Sequence, residues 1–271
     1  MTDNTLRTIY VCFPGGKHKA LTMSYDDGRQ EDYRLVELFN RHGIRGTFNL
    51  NAGLESDTRR IPQSEWAELY KGHEIACHTY THPTIARCPI EQVARQLMAD
   101  REGLERLTGA PVRGLAYPNG STSGRIRALL PMLGIRYARV VQTTGQFAMP
   151  EDFYSWAGTC HHNDRLVERG KDFLALFKTQ YLYLMYVWGH SYEFADYDNW
   201  HVMEEFCAMM GGQENIWYAT NIEIADYMDA AERLQFTAAG DRVCNPSAIP
   251  VWIEVDREKH VEIPGGALVE I

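Results

Sequence analysis

The sequence has few cysteines and no closely spaced cysteine pair. Its six cysteines are scattered over 271 residues, a pattern unlike the dense cysteine frameworks of disulfide-rich proteins. We therefore expect a reducing compartment. The first fourteen residues contain no basic segment followed by a long apolar one, so no signal peptide is expected and a cytoplasmic location is predicted.

Long apolar runs and blocks of positive charge are also absent. The nearest candidate for a membrane span, residues 181–189, is far too short to cross a bilayer. Lys and Arg total 27 against 36 Asp and Glu, which gives a net charge of −9. We therefore expect no binding to nucleic acid or to an anionic membrane surface. At 45% hydrophobic residues, the chain has enough apolar material for a large core.

Short apolar runs alternate with helix-like stretches along most of the chain. This alternation predicts parallel strands joined by helical crossovers. It favours a closed or nearly closed α/β barrel over residues 1–236, with an open doubly wound sheet as the alternative. Residues 237–271 carry short β-type runs broken by Pro and Gly, which predict a small antiparallel C-terminal β appendage. The helices predicted between strands include residues 33–42 and 89–108, and residues 142–162 are expected to form an irregular loop. The predicted barrel strands are residues 20–24, 46–50, 74–77, 112–117, 136–141, 181–188 and 216–220.

Polar residues and one proline stand at or just past the ends of these predicted strands. In a parallel barrel the carboxyl ends of the strands meet at one rim, where active sites lie. We therefore predict that these residues share one site, although Asn49 and the nearby Asn51 also fit ordinary turns. The residues at strand ends are Asp26, Asp27, Asn49, His78, Pro118, His190 and Asn221.

Two adjacent aspartates and two histidines dominate this set. The Asp26 and Asp27 carboxylates would repel each other unless a cation, a proton or hydrogen bonds compensated them. One carboxylate with two imidazoles is a common ligand set for a catalytic metal, which leaves the second carboxylate free as a base. In a straight strand His78 and His82 would lie about 13 Å apart. If they bind one ion, we expect residues 79–82 to curl back in a helical turn.

Five motifs in this order resemble those of the polysaccharide deacetylases of the NodB-homology type, carbohydrate esterase family 4. The resemblance covers about residues 18–230 and implies a distorted (β/α)7 barrel, in agreement with the strand count. The motifs are S-Y-D-D-G at residues 24–28, H-T-Y-T-H at 78–82, A-Y-P-N-G at 116–120, S-W at 155–156 and V-W-G-H at 187–190.

The resemblance also implies a role for each matching position. Asp26 would be the general base and His190 the general acid. Asp27, His78 and His82 would hold a divalent metal ion, zinc in the first place, with cobalt, manganese or nickel as alternatives. The backbone near Asn119 would help to hold the oxyanion, and Trp156 would form one wall of the substrate groove. The full set of implied substrate-binding residues is Tyr117, Pro118, Asn119, Trp156 and Trp188.

The activity implied is metal-dependent removal of acetyl groups from an N-acetylated or O-acetylated carbohydrate. Two departures from the motifs also leave open hydrolysis of a small linear or cyclic amide, or a carbohydrate-binding protein without catalysis. Ala116 replaces an arginine that would orient the base, for which Arg113 is a candidate. Ser155 replaces an aspartate that would orient the catalytic histidine. The candidates for this second role are Asp152, Glu193 and Asp196.

A second cluster of metal-ligating residue types occurs between two of the predicted strands. Cys160, His161 and His162 are consecutive, which is tight spacing for three ligands of one ion. We favour one of the histidines reaching the substrate groove over a second metal site.

Overall fold

A computed structural model describes residues 6–271. The strands are β1 (Ile9–Cys12), β2 (Lys19–Asp26), β3 (Gly46–Leu50), β4 (Glu74–Cys77), β5 (Gly114–Ala116), β6 (Tyr137–Thr143), β7 (Trp156–Gly158), β8 (Cys160–His161), β9 (Tyr183–Gly189), β10 (Ile216–Tyr218), β11 (Gln235–Phe236), β12 (Arg242–Cys244), β13 (Val251–Val255), β14 (Lys259–Ile263) and β15 (Leu268–Glu270). The α-helices are α1 (Asp32–His42), α2 (Gln63–Leu69), α3 (Ile90–Thr108), α4 (Gly124–Leu129), α5 (Leu166–Ala175), α6 (Tyr192–Asp196), α7 (Trp200–Met210) and α8 (Asn221–Glu232).

The main sheet is parallel and curls into a ring. Strands β2 to β6 pair in chain order, and β9 pairs with the free side of β2. The ring closes through two short strands in succession, because β7 pairs with β6 and β8 pairs with β9. Helices flank the strands along the chain, so the predicted α/β barrel is confirmed.

Helices α1 and α3, whose boundaries agree closely with those predicted from the sequence, are each followed by a glycine. α1 is followed by Gly43 and α3 by Gly109, with φ of 66° and 69°. A residue with a side chain is strained in this left-handed conformation, and glycine is not. Helix α1 was predicted at residues 33–42 and α3 at residues 89–108, so each boundary agrees within one residue.

The seventh position of the ring was predicted wrongly. Residues 216–220 were expected there, but β10 pairs only with the first three residues of β2. The segment 142–162 was expected to be an irregular loop, and it supplies β7 and β8. These strands have three and two residues, too few for an alternating pattern to be read. As a consequence Asn221 does not reach the rim, and its Oδ1 accepts a hydrogen bond from Thr22 Oγ1 at 2.8 Å.

The C-terminal strands are antiparallel, as predicted, and form two small sheets. One has the order β11–β12–β15 and the other β1–β13–β14. The N-terminal strand β1 therefore pairs with the appendage, which the sequence analysis did not anticipate. The division of the chain after residue 236 stays a prediction. Among the helices of residues 6–271, none is both long and apolar enough to cross a membrane.

Candidate active site

Asp26 is the last residue of β2 and lies at the centre of the polar cluster on the barrel rim. It is only 3% exposed, and its Oδ1 accepts a hydrogen bond from Asn49 Nδ2 at 2.8 Å. Its Oδ2 contacts the Arg139 guanidinium. Burial alone raises the pKa of Asp26, but Arg139, His78 and His190 together lower it to about 2. The carboxylate is therefore ionised and can accept a proton.

Asp27, His78 and His82 form a compact cluster beside Asp26. One ligand atom from each lies within 4.8 Å of the other two, and the two imidazole centroids are 4.7 Å apart. His78 Nδ1 lies 2.8 Å from the carbonyl oxygen of Ala116. Since only an Nδ1–H can bond to a carbonyl, the lone pair of Nε2 is free for a ligand.

Burial lowers the pKa of His78 to about 4, so the imidazole is neutral. A carboxylate, this neutral imidazole and a second histidine make a donor set that fits a divalent metal ion. His78 Nε2 also lies 3.8 Å from Asp26 Oδ2. The base and the candidate ligands are therefore immediate neighbours.

The backbone around the candidate ligands adopts uncommon conformations. Asp27, Thr79 and His82 have φ of 81°, 64° and 57°, in the left-handed region that non-glycine residues rarely occupy. The helical turn predicted over residues 79–82 is wrong, because this segment is a bend with a left-handed residue at each end. The bend reverses the chain direction between His78 and His82, as the helical turn was expected to do, and so brings the two imidazoles together. Strained conformations of this kind concentrate at functional sites, where the surrounding structure holds them.

Arg60 is part of the site and was missed by the sequence analysis. Its Nη2 lies 3.2 Å from Asp27 Oδ1, and its Nη1 donates to the Asp27 carbonyl oxygen and to Asn51 Oδ1. Its side chain is 10% exposed. The pair fixes one carboxylate oxygen of Asp27, and the other oxygen remains available to a ligand.

His190 lies on the opposite side of Asp26 and is held by Glu193. His190 Nε2 is 3.9 Å from Asp26 Oδ2, and Nδ1 is 3.3 Å from Glu193 Oε1. Burial lowers the pKa of His190, but the Glu193 hydrogen bond and the charge of Asp26 more than offset it, so the net pKa is raised. The raised pKa favours the protonated form of the His190 imidazole.

Comparison with known proteins finds similarity to one family. Residues 14–138 match the family model described as polysaccharide deacetylase. The chain is 27% identical over 111 residues to a peptidoglycan-N-acetylglucosamine deacetylase of Bacillus cereus, covering 40% of this chain and 39% of that protein. Over residues 14–138 the chain is therefore similar to the polysaccharide deacetylase family. It spans less than half the length of the curated relatives that it matches.

Two solved structures share the fold. A putative polysaccharide deacetylase from Mycobacterium smegmatis superposes with a TM-score of 0.63 at 17% identity, over 82% of this chain and 94% of that one. The structure of Puue allantoinase gives a TM-score of 0.62 at 15% identity, over 79% and 91%. The polysaccharide deacetylase fold therefore extends well beyond the matched residues 14–138.

The arginine beside Asp26 comes from the strand next to the one that carries the third motif. Ala116 on β5, where the motif has arginine, is paired in register with Arg139 on β6. The Arg139 guanidinium reaches Asp26 and lies 4.5 Å from the ring centroid of Trp188. Arg113, the predicted substitute, instead forms a salt bridge with Asp226. The prediction that Arg113 orients Asp26 is wrong, because Arg113 precedes β5 and its side chain pairs with Asp226 on α8.

Glu193 likewise stands in for the motif aspartate that Ser155 replaces. Of the three candidates, it is the one that contacts His190. Asp152 instead accepts a hydrogen bond from a backbone amide of its own loop, and Asp196 is exposed. Glu193 was among the alternatives because α6 follows the strand that ends at His190.

The histidines next to Cys160 also converge on Glu193. Its Oε2 lies 3.1 Å from His161 Nε2 and 2.9 Å from His162 Nε2. His161 Nδ1 accepts a hydrogen bond from the Asn163 amide, so the proton of the neutral imidazole is on Nε2, although Glu193 Oε2 has no hydrogen-bond partner. Within residues 6–271, the metal-sized cluster here consists of His161, His162 and Glu193 and does not include Cys160. The set Cys160, His161 and His162 that was considered as an alternative therefore does not form.

Most of the predicted substrate-binding residues are buried. Trp156 is 1% exposed and packs against Tyr137 and Tyr186, so it forms core and not a groove wall. Tyr117 is fully buried, and its hydroxyl donates a hydrogen bond to the backbone carbonyl oxygen of Tyr154. It follows β5 and packs in the core cluster that also contains Leu115 of β5 and Ile126 of α4. Pro118 is buried and Trp188 is 9% exposed, so only Asn119 of the predicted set is exposed.

Two other tyrosines lie close to residues of the site. Tyr80 is 38% exposed and lies in the bend between His78 and His82, with its ring next to Gly53. The ring of the half-buried Tyr192 lies 5.2 Å from that of His190. Aromatic faces of this kind can pack against the apolar face of a sugar ring. The sequence analysis did not single out Tyr80, although its position inside the H-T-Y-T-H motif was a signal.

Proposed function

We propose that the protein is a metal-dependent hydrolase that removes acetyl groups from an N-acetylated or O-acetylated carbohydrate. The observation that carries this proposal is the ionised, buried Asp26 between two imidazoles, with Asp27, His78 and His82 clustered beside it. Such a combination supplies a base, an acid and a place for a divalent ion in one cluster.

Asp27, His78 and His82 would hold the metal ion, zinc in the first place. When bound, such an ion polarises an acyl carbonyl and acidifies water. Asp26 accepts the proton of the attacking water, while Asn49 and Arg139 fix its orientation. The protonated His190 donates to the leaving nitrogen or oxygen, which departs poorly without a proton.

The substrate is proposed from the relatives and from the tyrosines close to the site. The family model and the Bacillus cereus relative are named for deacetylation of polymeric sugars. A small cyclic amide is the second candidate, because the allantoinase structure shares this fold and both family motif positions 116 and 155 are substituted. A sugar-binding protein without catalysis is disfavoured by the paired Asp26 and His190.

Metal analysis followed by a substrate panel tests the proposal. The panel contains N-acetylglucosamine oligomers, an O-acetylated xylo-oligosaccharide and a cyclic ureide, with the Asp26→Asn variant as the inactive control. Acetate release that requires Asp26 supports deacetylation. Ring opening of the ureide without acetate release favours the second candidate, and protein that neither binds metal nor turns over any substrate contradicts both.

Replacing Glu193 by glutamine is expected to lower kcat about 10- to 100-fold and leave KM nearly unchanged. Glu193 raises the pKa of His190, and the acid must be protonated, so activity falls as pH rises through that pKa. Without the carboxylate the pKa of His190 is lower, and the alkaline fall of the pH–rate profile therefore moves to lower pH. Steady-state kinetics across pH measures both effects.

The matched control is Asp196→Asn, because Asp196 is exposed on the same short helix. It should keep the wild-type kcat and pH profile. A Glu193→Gln profile that coincides with that of the wild type would show that Glu193 does not position His190.

A further inference from the structure

A second group of metal-ligating side chains lies where β1 meets the C-terminal appendage. Cys12 ends β1, His18 directly precedes β2, and His260 lies on β14. One ligand atom from each of these three lies within 4.8 Å of the other two. Glu254 on β13 faces the same group, with its Oε1 3.9 Å from His18 Nε2 and 3.3 Å from His260 Nε2.

The strand register explains why these residues meet. Cys12 is paired with Trp252, and Glu254 is paired with His260. Residues directly opposite in a sheet, and residues two apart on a strand, project from the same face. Three neighbouring strands therefore present a thiol, a carboxylate and an imidazole on one face. The turn after β1 then brings His18 over that face.

The distances match those between the ligands of a tetrahedral zinc ion. Cys12 Sγ lies 3.7 Å from His18 Nε2. Zn–S bonds of about 2.3 Å and Zn–N bonds of about 2.0 Å, at tetrahedral angles, separate the ligand atoms by roughly 3.3–3.6 Å. The three measured separations of 3.3, 3.7 and 3.9 Å lie in this range or just above it. Glu254 contacts both histidines but lies outside the cluster of Cys12, His18 and His260, so its side chain would have to move to bind the same ion.

The charges of the group also call for a cation. Glu254 is 5% exposed, and its Oε2 has no hydrogen-bond partner. In the described part of the chain its only ion-pair partners are His18 and His260. A buried carboxylate without a fixed cation is costly, and a divalent ion would compensate it.

The backbone at Gly16 leaves room for His260, the fourth side chain of the group. Gly16 has φ of 75°, and a Cβ at that position would lie 2.7 Å from His260 Cγ. The glycine therefore lets the imidazole approach the turn. The His260 side chain is 43% exposed, which gives an ion access from solvent, while Cys12 is fully buried.

We propose that Cys12, His18, Glu254 and His260 bind a zinc ion that fastens β1 and the C-terminal appendage to the barrel. Cysteine sulfur, histidine nitrogen and carboxylate oxygen are all ligands of zinc, and four protein ligands that leave no open position are a feature of structural sites. The site is remote from the candidate active site. His18 precedes the first residue of β2 and Asp26 is the last, so they are about 26 Å apart at 3.3 Å per residue.

Replacing zinc by cobalt tests the proposed site at Cys12, because a cysteine ligand gives an absorption band that the candidate active site cannot give. Asp27, His78 and His82 contain no sulfur, so a thiolate-to-cobalt charge-transfer band reports a cysteine ligand alone. The band is expected in the wild type and in the His82→Ala variant, and it should be absent from Cys12→Ser. Cys244→Ser, which alters another cysteine of the appendage, is the matched control and should keep the band.

A second measurement covers the case in which Cys12→Ser does not fold. The half-exposed His260 is replaced by alanine in the His82→Ala background, and the unfolding temperature is measured with zinc and with chelator. Zinc should stabilise the His82→Ala protein and leave the double variant unchanged. Cobalt-loaded wild type without a thiolate band, or equal zinc stabilisation of both variants, would overturn the site. Either result is independent of the proposed hydrolase activity.

Discussion

Replacing Arg139 by alanine is expected to lower kcat/KM by about 10²–10⁴-fold, the usual contribution of a positioned general base. The guanidinium is fully buried against Asp26, and it lowers the pKa of that carboxyl group. Without it, burial dominates and the pKa of Asp26 rises. Since the base must be ionised, activity is lost as pH falls through that pKa, and in the variant this loss starts at a higher pH. Kinetics from acidic to neutral pH measures the shift.

The same substitution should destabilise the protein by about 3–5 kcal/mol, because it leaves a buried carboxylate without its partner. Arg113→Ala, which removes a half-exposed arginine paired with Asp226, is the control and should retain activity. The strand register offers a rescue. Placing arginine at Ala116 in the Arg139→Ala protein should restore part of the activity, because the two positions are directly paired. An Arg139→Ala enzyme with the wild-type pH profile would contradict this role.

Replacing His82 by alanine is expected to lower the affinity for the proposed catalytic metal by more than about 100-fold, since even the loss of an outer partner of a ligand costs 10- to 100-fold. A catalytic metal typically contributes several kcal/mol to the stabilisation of a transition state, and about 1.4 kcal/mol corresponds to a factor of ten. Activity should therefore fall by about 10³-fold. Calorimetric zinc titration and acetate release measure the two effects.

His82 is a suitable position for this test because it is partly exposed and contributes no core packing. The control is His201→Ala, which removes an exposed histidine from α7 and should change neither measurement. Full activity of His82→Ala after exhaustive treatment with chelator would rule out the proposed ligand set.

The sequence predicts the parts of the site that lie in local motifs. Asp26, Asp27, His78 and His82 belong to short segments at strand ends, and parallel strands bring such ends together. The structure brings these four residues and His190 into one cluster, as expected. Their assigned roles stay predictions until the variants are measured.

The remaining parts of the site depend on contacts between strands and loops that no local pattern shows. Arg139 and Arg60 reach Asp26 and Asp27 from distant segments, and which arginine does so depends on strand register and loop path. A sequence signal existed for Arg139, because a charged residue within the apolar strand 136–141 requires a buried partner. Trp156 was misassigned because the short strands β7 and β8 looked like a loop.

The pairing of β1 with β13 has a consequence for the order in which the chain can fold during synthesis. β1 ends at Cys12, and its partner strand begins only at Val251, so β1 is made long before its partner. Domains emerge from the ribosome in order, so the edge of β1 has no native partner while the rest of the chain is translated. An unpaired strand edge is prone to association with other chains. Nascent chains truncated before residue 251 should therefore be the most aggregation-prone species of this protein.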